Sequence, residues 1–189
     1  MNEKEIIELS LTFGFDKAKI IDTDEIVFDL GFRKYCEEDL CGNYCRNYSC
    51  PPDCGTPMKM KEEVLKYKKA LILQSCWQID DLTDKDILKT AKALHNRWML
   101  RLINALKANG FRGLMAGASE CMVCDQCEKI KGNECKFPEL KFSCLSAYCV
   151  NVMELARECS MDYTYKNGRL SFFGAYFFDD ISEGNNVCL

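Results

Sequence analysis

Eight of the fourteen cysteines in this 189-residue chain stand in two groups of four, and no other feature restricts its fold as tightly. The first group reads Cys36-x4-Cys41-x8-Cys50-x3-Cys54, with Pro51-Pro52 directly after Cys50. The second reads Cys121-x2-Cys124-x2-Cys127-x7-Cys135. A thiolate is a soft, anionic ligand, and four of them suit an iron–sulfur cluster or a tetrahedral zinc. Ligand-bearing stretches are usually irregular backbone. Gly42, Asn43, Asn47 and Pro51-Pro52 give the first group that character, and Gly132 lets the second fold back. The fold must therefore be a scaffold from whose element ends two cysteine loops emerge, at 36–54 and 121–135.

Three cysteines in seven residues let one short loop present three sulfurs to three irons of a cubane, as bacterial ferredoxins do. Their fourth cysteine follows after three residues and precedes proline. Here the fourth is Cys135, and the proline comes later, as Phe137-Pro138. Zinc sites more often pair one CxxC with a distant pair, so the spacing favours a cluster for the second group. The first group suits either metal, and spacing leaves open one composite site fed by both loops. Proline after Cys50 removes a donor and stiffens the turn, which would fix that sulfur's direction. Cys45 lies inside the first loop, where it could substitute for a neighbour.

The other cysteines carry blander expectations. Cys76 on an apolar strand and Cys159 on a helix suit packing as small hydrophobes. Cys188 belongs to a C-terminal tail. Cys144 and Cys149 follow the second group closely; packing is the expectation, with ligation or relay the alternative. Spacings of two residues and a reducing compartment argue against a disulfide framework.

With 48% hydrophobic residues the chain can bury a core without staples. A net charge of −4 and a pI near 5.2 argue against nucleic acid as the main partner. The N-terminal residues lack the basic and apolar regions of a signal peptide, and no apolar run is long enough to span a bilayer. Cys188 is penultimate, which does not match a prenylation box. The expectation is a cytoplasmic protein with no membrane partner, where thiols stay reduced.

Apolar periodicity predicts a helix over 2–13, stopped by Gly14. Residues 18–21 and 26–29 read as a short hairpin around Asp22-Thr23-Asp24. A helix over 57–68 and a buried strand over 70–76 follow. Ile87, Ala91, Leu94, Trp98, Leu102 and Ala105 share one face of a long helix near 84–109, ended by Asn109-Gly110. Residues 114–116 read as a strand, giving a strand–helix–strand crossover. A helix over 146–159 precedes strands at 163–165 and 170–178, joined by Asn167-Gly168. The expected fold is a single domain over 1–189, α+β or α/β, with helices packed on a mixed sheet.

The cysteine segments also resemble an uncharacterised family of cysteine-rich proteins described as predicted metal-binding, common in anaerobic bacteria and archaea. That family carries a segment close to C-x4-CGxYGxxWxCPPxCGT. Here the stretch runs from Cys36 through Cys41-Gly-Asn-Tyr44-Cys45 to Cys50-Pro-Pro-Asp-Cys54-Gly-Thr. A second family segment, GAxxCxxCxxCxxxxGxPCRxPE, aligns with Gly117 through Glu139, and SMEAYGIxV aligns with Cys144 through Val152. The resemblance covers most of the chain and implies metal binding and, by analogy, iron–sulfur clusters; it implies no reaction. Cys45 replaces a family glycine, and Cys144, Ser146 and Cys149 replace Ser, Glu and Gly. Those extra cysteines open the hypothesis of an enlarged metal site.

His95, the one histidine, matches a histidine of that family. A packed or half-exposed helix residue is the first expectation for it, with a metal or proton-transfer role the alternative. The aromatic run Phe172, Phe173, Tyr176, Phe177 and Phe178 suits strand core, and one of Asp80, Asp81, Asp84 and Asp86 suits a helix N-cap. The functional expectation is an iron–sulfur protein with two [4Fe–4S] sites, serving electron transfer with a redox partner protein. One alternative is a zinc-stabilised interaction module. Another is an iron–sulfur enzyme of lyase or sulfur-transfer type, for which His95 and Tyr148 are the candidate acid–base groups.

Overall fold

The structure, a computed structural model, describes residues 1–179. Its order is α1 (Glu3–Thr12), β1 (Lys17–Asp22), α2 (Arg33–Glu37), α3 (Pro57–Val64), β2 (Lys69–Gln78), α4 (Lys85–Ala108), β3 (Gly113–Gly117), β4 (Ser143–Cys144), α5 (Val152–Glu158) and β5 (Arg169–Phe178). The five strands form one mixed sheet in the order β1-β2-β5-β3-β4. Only β3 and β4 pair in parallel. This is the α+β alternative of the expected fold.

Alternation along the central strands decides what lies on each face. Leu71 and Leu73 of β2, with Tyr176 and Phe178 of β5, join Ile6 of α1 and Met99, Leu102 and Leu106 of α4 in one core. Their neighbours Ala70, Ile72, Phe173, Ala175 and Phe177 turn the other way, onto Met60 and Val64 of α3 and Leu155 and Ala156 of α5. Both faces of β2 and β5 are thus covered, which explains their near-continuous apolar runs.

The helix ends follow their caps. Asn2 and Glu5 form a reciprocal capping box on α1. Thr56 caps α3, with Pro57 in its first turn. Asp84 is the N-cap of α4, its carboxylate accepting from the N–H groups of Asp86 and Ile87 at 3.0 Å.

Three expectations need correction. The 18–21/26–29 hairpin does not form: residues 23–25 make a 3-10 turn, β1 pairs with β2, and Phe28 bridges Val150 instead. A distant strand with a matching apolar pattern outcompetes the local turn. The helix expected from 146 starts only at Val152, because Cys149 adopts a positive φ of 58° and Asn151 provides the cap. The Asn167-Gly168 turn is present, with φ of 53° and 74°, but its first arm is a single bridge, Lys166 to Arg169. The crossover from β2 through α4 to β3 exists, with β5 inserted between its two strands. Cys188 lies outside the described residues.

Candidate metal centres

Both cysteine loops sit around one end of β3. β3 runs out at Gly117, which pairs in parallel register with Cys144 of β4. The second loop leaves directly from there. Asn96 of α4 pins its departure: Oδ1 accepts from Ala118 N–H at 2.8 Å, and Nδ2 donates to Ser119 Oγ at 3.0 Å. A Cβ on Gly117 would stand 2.7 Å from that Oδ1 and 2.8 Å from Phe142, so only glycine permits this close approach.

Cys121, Cys124, Cys127 and Cys135, all half-buried, line a single small cavity of about 20 Å³. Burial pushes the Cys121 thiol up, while hydrogen bonding from the backbone of Val123 and Phe142 pulls the other way. Such N–H···S contacts are what stabilise a thiolate bound to metal. Glu128 is 5% exposed and closes the loop. It accepts from Asn133 Nδ2 and Lys136 Nζ at 2.8 Å and from Lys131 Nζ at 3.3 Å, and these donors hold its carboxyl down at about 2.

In the first group Cys36 lies on α2, Cys41 and Cys45 are exposed, Cys50 is buried and Cys54 is half-buried. Cys36 is within electrostatic reach of Cys41, Cys54 and Cys149. Burial pushes the Cys50 thiol up, and Cys144 and Cys41 add to that. Cys144 is pushed up to about 12, again chiefly by burial, with Cys36 and Cys41 contributing. The structure therefore brings Cys144 and Cys149 to the first group, not the second that they follow in sequence. Backbone bonds explain the route: Asp29 N–H donates to Cys149 O at 2.8 Å and Asn151 N–H to Val27 O at 2.9 Å. These stitch the 144–151 turn to the chain that leads into α2.

The two loops also dock on each other. Ser49 Oγ accepts from Cys121 N–H at 2.9 Å and lies 3.8 Å from Cys50 Sγ. Asn47 Nδ2 donates to Cys121 O at 3.0 Å, Tyr48 Oη to Asn133 O at 2.8 Å, and Lys129 pairs with Asp53 at 2.7 Å. Spacing held no sign of this seam, because its bonds span more than seventy residues.

Among the described residues, no three His, Cys, Asp or Glu side chains converge closely enough to enclose one metal ion. The sulfurs wall their sites rather than meet at a point. The donor set still fits a thiolate-bound metal: four sulfurs on one cavity, with backbone hydrogen bonding to Cys121.

The acid–base candidates are sealed. His95 is fully buried, and desolvation lowers it to about 3. Tyr148 is 5% exposed and burial pushes it up. A larger cavity of about 370 Å³ lies between Leu145, Val152, Tyr163, Tyr165, Phe172 and Phe173, and neither candidate lines it. Its wall also includes Ser146 and Ser171.

A sequence model of the family described as Predicted metal-binding protein (DUF2284) matches residues 19–178, which takes in both cysteine groups. No curated protein and no solved structure matches the chain.

Proposed function

The chain belongs to the DUF2284 family of predicted metal-binding proteins, and from that premise we propose that it holds two iron–sulfur clusters and uses them in one-electron transfer. Cys121, Cys124, Cys127 and Cys135 hold one [4Fe–4S] cluster, and Cys36, Cys41, Cys50 and Cys54 the other. The observation that carries the reading is that the four cysteines of the second group wall one cavity. The seam between the loops supports the pairing of the sites, since one hydroxyl, that of Ser49, touches both. When bound, a cluster supplies a reversible one-electron couple. The protein's part is to set its potential by N–H···S bonds and burial and to limit solvent access.

Electron transfer needs a partner protein. The loops and the segment after Cys135 carry exposed apolar side chains suited to a transient contact, among them Leu40, Ile130, Phe137 and Leu140. No helix among the described residues is long and apolar enough to cross a membrane.

The small volume beside the second group favours a second reading for that site. About 20 Å³ admits a single ion or water, whereas a cubane requires the loop to open. Zinc there would make a structural centre. Iron and acid-labile sulfide analysis, with a visible spectrum, on protein purified without oxygen separates the readings. The proposal expects about eight of each per chain and a broad absorption that bleaches on reduction. Zinc alone in a colourless sample would overturn electron transfer.

A further inference from the structure

Arg33 is the one side chain in the first site whose charge is unaccounted for. It opens α2, three residues before Cys36 and so on the same helix face. It is only 5% exposed. Nη1 donates to Gly55 O at 2.8 Å and points at Cys54 Sγ, 3.7 Å away. Nη2 donates to Ala147 O at 2.8 Å and lies 3.2 Å from Met60 Sδ. Nε is buried and has no partner among the described residues. Among those residues no carboxylate forms an ion pair with Arg33.

A guanidinium is always charged, and a buried charge is retained when something of opposite sign faces it. Here the groups that can become anionic are sulfurs. Cys54 is in contact, its Sγ 3.7 Å from Nη1, and Cys36 lies one helical turn away on the same helix. The two carbonyls it binds belong to the chain after Cys54 and to the turn between Cys144 and Cys149, so one side chain ties together the stretches that bear these sulfurs.

We propose that Arg33 is the built-in counter-cation of the first cysteine site, a positioning residue that binds a thiolate–metal centre carrying net negative charge. The inference rests on the reading of the first group as a metal site. Without metal the charge is a burden on the fold, and with metal it is neutralised. Loss of the charge thus weakens metal binding, and a lysine that keeps the charge restores it, which a purely structural tie would not do.

The test uses the full chain with Cys121, Cys124, Cys127 and Cys135 replaced by serine, so that bound metal reports the first group alone. Zinc ion is the probe, titrated against a chromophoric chelator, and Tm is measured with and without zinc. Arg33→Met should lower the zinc-free Tm, because two carbonyls lose their donor, and should also weaken zinc binding by about tenfold or more, the scale for losing an outer partner of a metal ligand. Arg33→Lys should lower the zinc-free Tm as well but keep most of the affinity. Undiminished affinity in a folded Arg33→Met chain would make Arg33 a structural tie and overturn the proposal. So would equal losses of affinity in both variants. If the chain with Arg33 intact binds no zinc, the metal reading of the first group fails first, and the proposal with it.

Discussion

His95 shows how a single residue can mislead and still inform. The Ser75 hydroxyl accepts from Trp77 Nε1 at 2.7 Å and shares a second hydrogen bond of 2.7 Å with His95 Nδ1. The other ring nitrogen, Nε2, has no hydrogen-bond partner among the described residues and faces Gly174, where a Cβ would stand 2.9 Å away. The ring is neutral because burial lowers it from an ordinary 6.5 to about 3. Between those values the unfolded chain binds a proton that the folded chain refuses, so stability is full above about 6.5 and falls as the pH drops toward 3. Denaturant unfolding of the metal-free chain across that range should show the loss. In His95→Leu the slope should flatten, at the expense of roughly 1–3 kcal/mol at neutral pH for the stranded Ser75 hydroxyl. The helical periodicity placed His95 beside the apolar stripe. Its complete burial was not legible, since that depends on β5 closing over α4.

Elements dominated by one repeating pattern were the ones sequence located well. The stripe of α4 and the apolar runs of β2 and β5 appear where the pattern placed them. What escaped was pairing. β1 finds β2 across more than forty residues, and β5 enters between β2 and β3. Neither is encoded in local turn chemistry. The same limit applies to the candidate site. The quartets stand out in the sequence, but the approach of Cys144 and Cys149 to the first group depends on the Phe28–Val150 bridge. The loop–loop seam is the element most open to test. Ser49→Ala leaves Cys121 N–H without its acceptor, which should destabilise the chain by roughly 1–3 kcal/mol. If the loops support each other, chelator should also strip metal faster from both groups in this variant. Thermal melts and timed chelation check the two effects, and faster loss from one group alone would mean the loops hold their metals independently.

Across the whole molecule, a sheet covered by helices on both faces carries two cysteine loops around the end of β3, next to the edge strand β4. The scaffold supplies stability from the apolar clusters packed against its sheet. That leaves the loops free to be built from the irregular backbone that ligands require. The central claim is that the two quartets are separate metal sites. Metal content should therefore be measured per chain in the parent protein and in two variants, one with Cys36, Cys41, Cys50 and Cys54 replaced by serine and one with Cys121, Cys124, Cys127 and Cys135 replaced. The account predicts that each variant keeps one site's metal and that the two contents sum to that of the parent. Loss of all metal from either folded variant, or no loss from one of them, would contradict it.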